Sequence, residues 1–188
     1  MKLILVRHGE TEANVKGLIQ GGGSNFSLTK NGLEQAKKVS EFLKFEKIDI
    51  AYSSDLGRSL QTAKEILKNH KPKWIKTKEL REVHAGELEG KNTSRNKIFS
   101  PSFKAPGGES LLECMQRVSD FYDKVKQKDK TLLFVSHGVT IATLLLYIFK
   151  KKIIWEEYDQ CRPPVAGITI LEINEKKIKK ILLNHQIK

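Results

Sequence analysis

Apolar and polar positions along the chain alternate between two periods. Lys2 to Val6 is an apolar, partly β-branched run that stops at Arg7-His8-Gly9, which predicts a buried strand ending in a glycine-containing loop. From Thr29, a good N-cap, Leu33, Ala36, Val39 and Leu43 form one helical stripe with lysines and glutamates opposite, predicting a surface helix packed on a sheet. Ile48 to Ser53 repeats the strand pattern. Gly57 to Leu67, with Leu60, Ala63 and Leu67 on one face, repeats the helix, and Trp74 to Thr77 reads as a short strand. A polar, irregular stretch from Glu87 to Gly108 carries Pro101, Pro106 and paired glycines, predicting a loop or lid excursion over 84–109.

Ser110 and Glu113 form a capping box that opens a helix with Leu111, Met115, Val118, Tyr122 and Val125 on one side. Thr131 to Val135 is another buried strand, ended by Ser136-His137-Gly138 and followed by the apolar helix Val139 to Phe149. Ile168 to Ile173 and Ile178 to Leu183 flank a polar turn at 174–177, which predicts a hairpin at one sheet edge. The βαβα alternation argues for an α/β fold, a three-layer α/β/α sandwich with a mainly parallel sheet and an antiparallel edge strand. No repeat or linker divides the 188 residues, so a single domain over 1–188 is expected.

With 39% hydrophobic and 30% charged residues, the composition is that of an ordinary globular protein. The formal charge of +12 is compatible with nucleic acid, a membrane surface or anionic substrates. Only six of the 34 basic residues are arginines, however, and the lysines scatter over helix faces, as on a solvated surface. No recognition helix, zinc finger or aromatic RNA-binding signature is present, so no nucleic-acid partner is expected. The opening apolar run of four residues is far short of a signal-peptide core or membrane span. The expectation is a cytoplasmic chain without a membrane partner. Cys114 and Cys161 lack any CxxC or ligand spacing and are expected to be reduced thiols.

In open α/β sheets ligands bind outside the carboxyl ends of the strands, where His8 and His137 both fall. One such histidine would ordinarily be structural; two in the same strand-His-Gly context favour function. Each following glycine lets backbone amides approach an anion closely. Arg7 adds a rigid fork of donors matched to phosphate oxygens.

Arg7-His8-Gly9-Glu10-Thr11 resembles the signature of the histidine phosphatase superfamily, also called phosphoglycerate mutase-like. The resemblance continues in order through Asn14, Gln20-Gly21, Leu28-Thr29 with Gly32, and Ser53-Ser54-Asp55-Leu56 with Arg58 and Gln61-Thr62-Ala63. It then takes in Leu80-Arg81-Glu82 with Gly86, Glu89-Gly90, and Ser136-His137-Gly138, spanning nearly the whole chain. It implies that His8 is the nucleophile that becomes phosphohistidine, that Arg7, Arg58 and His137 form the phosphate pocket, and that Glu82 is the proton donor. Asn14 and the Gly138 amide would help hold phosphate oxygens, with Gln20 and Gly21 near the substrate. No metal and no cofactor are implied.

Elementary chemistry agrees with those roles. A histidine attacks phosphorus only when neutral, and neighbouring guanidinium groups disfavour its protonated form. The same cations stabilise oxygens that gain charge in a loose phosphoryl-transfer transition state. An alkoxide leaves readily only when protonated, which calls for a carboxylic acid beside it. Glu87 and Glu89 are alternatives to Glu82 that read better as solvated loop carboxylates. Gly21-Gly22-Gly23-Ser24 lacks the Lys-Ser/Thr of a P-loop and reads as a flexible loop. His70, His84 and His185 have no metal-ligand spacing and read as surface histidines or as supports behind the site.

Two departures from the family pattern fall on the substrate side. Gly22 to Ser27 replaces a WxDxPLT-like stretch, and Leu88-Glu89-Gly90 stands where Trp-Glu-Gly is common. The short segment between Glu82 and His137 favours a phosphatase over a cofactor-dependent phosphoglycerate mutase, which needs to shield its intermediate from water. A reading of another class is an inactive phosphate- or nucleic-acid-binding module. The expected partner is a small phosphorylated metabolite, with a phosphoprotein as second candidate, and the chain is expected to be a monomer or homodimer. Specificity should come from Gln20 to Asn25 and Val83 to Gly108, where Lys91, Arg95 and Lys97 could meet a second anionic group.

Overall fold

Side chains alternate along a strand, so Leu3 and Leu5 face one way from β1 (Lys2–Arg7) and Ile4 and Val6 the other, and all four are buried. The computed structural model describes residues 1–92, 100–174 and 177–187. The remaining strands are β2 (Ile50–Ser54), β3 (Lys73–Thr77), β4 (Thr131–Ser136), β5 (Ile168–Ile173) and β6 (Ile178–His185). They form one sheet of order β3-β2-β4-β1-β5-β6. The first four of these neighbours run parallel, whereas β5 is antiparallel to β1 and β6 to β5. The expected hairpin therefore contributes two antiparallel strands, with β6 at the edge.

The helices are α1 (Glu12–Val15), α2 (Lys30–Leu43), α3 (Gly57–Ile66), α4 (Leu111–Val125), α5 (Gly138–Ile148) and α6 (Trp155–Cys161). On one face of the sheet Leu5, Leu132 and Phe134 pack against Val118 of α4, Leu144 of α5 and Tyr158 of α6. On the other face Ile4, Val6 and Leu133 pack against Val39 of α2 and Ile66 of α3. These are the expected three layers. Nine of the 11 residues of α5 are buried, which explains why its sequence is apolar nearly all round.

Both predicted caps are in place. Thr29 accepts from the Gly32 N–H, and the Ser110–Glu113 box is formed in both directions. The short helices α1 and α6, of four and seven residues, have no counterpart in the sequence expectations. Both cysteines are buried and unpaired with each other, and burial raises the Cys114 thiol to about 12. Among the described residues no helix is long and apolar enough to cross a membrane.

The chain leaves β1 for α2 and the β2 side of the sheet, and leaves β4 for α5 and the β5 side. Connections that depart in opposite directions from two adjacent parallel strands open a crevice at their carboxyl ends. His8 and His137 flank it.

Candidate active site

Arg7 lies opposite Ser136 in the β1–β4 register, so His8 and His137 are the next residues of two neighbouring strands. Their ring centroids are 5.1 Å apart, with planes inclined at 59°. Both are buried, at 2% and 0% exposure. The His8 N–H donates to the Ser136 carbonyl (3.0 Å), and its own carbonyl accepts from the Ala166 N–H (3.1 Å), fastening the residue on both sides. His137 is the extended N-cap of α5, and Gly138 opens that helix. A Cβ on Gly138 would lie 3.2 Å from Arg7 Cζ, so glycine lets the guanidinium pass close to the helix start.

The hydrogen bonds of the two histidines assign their protons. His8 Nδ1 is 2.7 Å from the Gly9 carbonyl oxygen, which can only accept, so Nδ1 carries the proton and Nε2 keeps its lone pair. At His137 the roles reverse. Arg58 Nε, a donor, is 3.2 Å from His137 Nδ1, so the proton belongs on Nε2. That Nε2 is buried with no partner among the described residues. One imidazole thus presents a lone pair and its neighbour an N–H.

Burial, then the Arg58 and Arg7 guanidiniums, hold His8 well below the usual 6.5, against an opposing pull from the Gly9 carbonyl. Burial again leads at His137, followed by Arg58, His8, Arg7 and Arg117, all lowering it. Both rings are neutral at neutral pH. Arg58 is fully enclosed and donates from Nη1 to the Ser24 carbonyl and from Nη2 to the Gly21 carbonyl, each at 2.8 Å. Burial lowers it to about 10, against Glu82 and Glu89, which raise it, so it stays charged.

Glu82 is seated at the first turn of α5. Its Oε1 accepts from the Val83 N–H (3.0 Å), the Val139 and Thr140 N–H groups and the Thr140 hydroxyl (each 3.2 Å). Among the described residues Oε2 accepts only from the Val139 N–H, at 3.2 Å. The preceding residue is clamped: Arg81 donates to Asp55 from Nε (2.6 Å) and Nη2 (2.7 Å), and its carbonyl accepts from Arg117 Nη1 (3.2 Å). Arg117 also grips Glu109 with two bonds of 2.8 and 2.7 Å. A bidentate arginine fixes orientation as well as distance, so Glu82 is held by a frame drawn from the loop after β2, α4 and α5.

Arg7, His8 and Glu82 border one small cavity together with Asn14, Gln20 and Gly21. Its volume of about 60 Å³ is about four to six times what one water needs, the scale of a phosphoryl group. Arg58 and His137 adjoin it through the Gly21 carbonyl and the His8 ring. The predicted site residues are therefore brought together. Asn14 Oδ1 accepts from the N–H and hydroxyl of Thr11, which leaves its NH₂ group to donate. Gln20 is buried with Oε1 unpartnered among the described residues.

Three sequence expectations need correction. Glu89 is not a solvated carboxylate: its side chain is 16% exposed, and Oε1 accepts from the Gly23 and Ala85 N–H groups (2.9 and 3.2 Å). The glycine run is likewise a tightly packed strip. Gly21 has φ +61°, and a Cβ there would lie 2.2 Å from Glu89 Oε1, so both backbone angle and space demand glycine. Third, Lys91 is exposed and does not border the cavity, while Arg95 and Lys97 lie outside the described residues. The cavity's further cation is Arg162, at the end of α6, for which Pro163-Pro164 was the sole local signal. Glu87, His84 and His185 are exposed, as expected.

Comparison with known proteins gives the family. The family model described as histidine phosphatase superfamily (branch 1) matches residues 3–186. "Putative phosphoserine phosphatase 2" of Hydrogenobacter thermophilus is 32% identical over 97% of this chain and 95% of its own length. "Probable phosphoglycerate mutase GpmB" of Proteus mirabilis is 36% identical over 77% of this chain and 73% of its own. "Fructose-2,6-bisphosphatase TIGAR" of Xenopus tropicalis is 38% identical over 64% of this chain, which spans only 48% of that relative. Among solved structures, a putative alpha-ribazole-5'-P phosphatase from Escherichia coli superimposes with a TM-score of 0.86 at 25% identity, covering 99% of this chain and 97% of that one. Paired histidines at two adjacent strand ends, an ordered motif set along the chain and a family match from residue 3 to 186 lead to one assignment: the chain belongs to the histidine phosphatase superfamily.

Proposed function

We propose that this protein hydrolyses phosphomonoesters through a phosphohistidine formed on His8. The observation that carries the reading is the opposed tautomers of His8 and His137, a lone pair on one buried neutral ring beside an N–H on the other. His8 Nε2 attacks phosphorus, while Arg7, Arg58 and the His137 Nε2–H bind the phosphoryl oxygens as charge spreads over them. The ring gains positive charge as the P–N bond forms, and the Gly9 carbonyl at Nδ1–H stabilises it. The P–O bond to the alcohol breaks, and the departing oxygen takes the proton from the Glu82 carboxyl group, whose less committed oxygen is Oε2.

The second half-reaction reverses these roles. Glu82, now a carboxylate, accepts a proton from a water that attacks phosphorus; the P–N bond breaks, giving inorganic phosphate and neutral His8. Asn14 and the Gly138 N–H assist with phosphate oxygens, and Gln20 and Gly21 face the substrate. A relative of nearly full coverage named for phosphoserine and a structural neighbour named for alpha-ribazole 5'-phosphate support water as acceptor. The mutase reading draws on the relative named phosphoglycerate mutase.

The experiment is rapid-quench trapping with a radiolabelled phosphomonoester, alongside steady-state turnover of p-nitrophenyl phosphate. The expected result is an acid-labile, base-stable phosphoenzyme in the native chain, with both label and turnover lost in His8→Ala. Turnover that survives His8→Ala overturns the mechanism. Rapid conversion of 3-phosphoglycerate to 2-phosphoglycerate with 2,3-bisphosphoglycerate, without release of phosphate, overturns the choice of water.

A further inference from the structure

We propose that Arg162 selects the substrate by receiving a second anionic group, a carboxylate or a second phosphate, on the alcohol that carries the reacting phosphoryl group. The inference rests on the phosphomonoesterase reading above and adds the class of ester. Arg162 borders the same cavity as Arg7, His8 and Glu82. Its Nε is buried without a hydrogen-bond partner, and no acceptor engages its guanidinium among the described residues. The contrast with other arginines is direct: Arg58 donates to His137, Ser24 and Gly21, Arg81 to Asp55, and Arg117 to Glu109. A desolvated guanidinium N–H without an acceptor is unfavourable, and an anionic ligand at that place removes the penalty.

Charge balance gives the ligand its chemistry. Arg7 and Arg58 already supply two positive charges for a dianionic phosphoryl group. With Arg7 lining the cavity and Arg58 adjoining it, Arg162 is a third cation at the site, left over for an anion that the phosphoryl group does not provide. The guanidinium fork matches carboxylate or phosphate oxygens, and an uncharged hydroxyl would gain far less there. Because His8 and Arg162 border one small cavity that a phosphoryl group alone would fill, the second anionic group belongs at its rim, on a short alcohol.

The seat of Arg162 is built into the frame of the nucleophile. Arg162 ends α6 in extended conformation, φ −85° and ψ 112°, as a residue before proline should. The Pro163 carbonyl accepts from Arg7 Nη1 at 2.8 Å, and four residues after Arg162 the Ala166 N–H holds the His8 carbonyl. Arg162 is thereby registered to the residues that bind and attack phosphate.

The test measures Kd in His8→Ala chains, where binding is read without turnover, for two matched ligand pairs. Phosphoserine and phosphoethanolamine differ by one carboxylate; propane-1,3-diol bisphosphate and propyl phosphate differ by one phosphate. In the His8→Ala chain the anionic member of at least one pair should bind more tightly, and the pair that does identifies the source of the anion. Adding Arg162→Gln should shrink that preference about 10- to 100-fold, the worth of a charge-assisted hydrogen bond. Arg162→Lys, which keeps charge without the fork, should recover part of it. Inorganic phosphate binding to the same variants checks that the pocket is folded. No preference for either anionic member, or a preference unchanged by Arg162→Gln, overturns the proposal. Equal weakening of both members of a pair assigns Arg162 to the reacting phosphoryl group and overturns it as well. Native chains that bind these ligands yet turn over no phosphomonoester would instead sink the phosphatase reading.

Discussion

Acidification from about pH 7.5 to about pH 5.5 should weaken the fold because two buried imidazoles cannot take up the protons that the unfolded chain accepts. His8 and His137 are 2% and 0% exposed, and burial followed by Arg58 holds both well below 6.5. The sign follows from the depressed folded values. The stabilisation is present above 6.5, because neither state is protonated there, and it is lost below 6.5 as the unfolded chain binds protons, until the folded values are reached. Each histidine contributes about 1.4 kcal/mol per pH unit inside that window. Across the two units centred on 6.5 the pair removes up to about 3 kcal/mol, which lowers Tm by about 6–12 °C for a chain of this size. Burial lowers His70 too, adding a smaller effect of the same sign. Urea denaturation at both pH values, on the native chain and on His8→Gln and His137→Gln separately, reads the effect. Each substitution should remove about half of the pH dependence. A native chain equally stable at both pH values, or variants that keep the full dependence, would refute the buried-neutral assignment.

Glu82→Gln should slow hydrolysis of an alkyl phosphate by about 10²- to 10⁴-fold and p-nitrophenyl phosphate much less, since nitrophenolate leaves without a proton; equal losses would remove Glu82 from the acid role. Gly138→Ala places a Cβ 3.2 Å from Arg7 Cζ, so kcat/KM should fall about tenfold through a shifted guanidinium while Tm holds or rises with the better helix former. Unchanged kcat/KM would show that Arg7 has room to spare. Arg58→Met strips a donor from the Gly21 carbonyl, the Ser24 carbonyl and His137 Nδ1 and should cost about 2–5 kcal/mol in guanidinium denaturation; a loss below about 1 kcal/mol would mean that those acceptors find other partners. Because the proposed mechanism draws its positive charge from Arg7 and Arg58, EDTA should leave turnover intact, and loss reversed by a divalent metal would contradict the mechanism.

Much of the fold could be read from short-range pattern. β1 and β4 are unbroken apolar runs because both of their faces are covered, and Thr29 and Ser110 mark helix starts by side chains that cap their own turns. The helices α1 and α6 escaped because four and seven residues barely exceed one or two turns, too few for a 3.6-residue period to stand out. His8 and His137 could be paired because strand-His-Gly occurs twice. Their opposite tautomers could not, since one depends on a neighbouring carbonyl and the other on an arginine from a different helix. Glu89 and Arg162 were hidden for the same reason. What makes Glu89 a strut is Gly21 and Gly23 arriving from another loop, and what brings Arg162 to the cavity is a turn fastened to β1.

The position of β4 between β1 and β2 has a consequence for the life history of the protein. During synthesis β1, β2 and β3 leave the ribosome before the strand that joins them, so β1 waits without its parallel neighbour and His8 without His137. A nascent chain ending after β3 carries His8 but not the paired imidazole, so the proposed phosphohistidine should form only once β4 is in place. Phosphate binding should therefore report completion of the sheet. An anion that fits the finished cavity, by binding only the closed form, pulls the late insertion of β4 forward. Onset of phosphate affinity along a series of stalled chains would time the moment at which the two halves of the sheet meet.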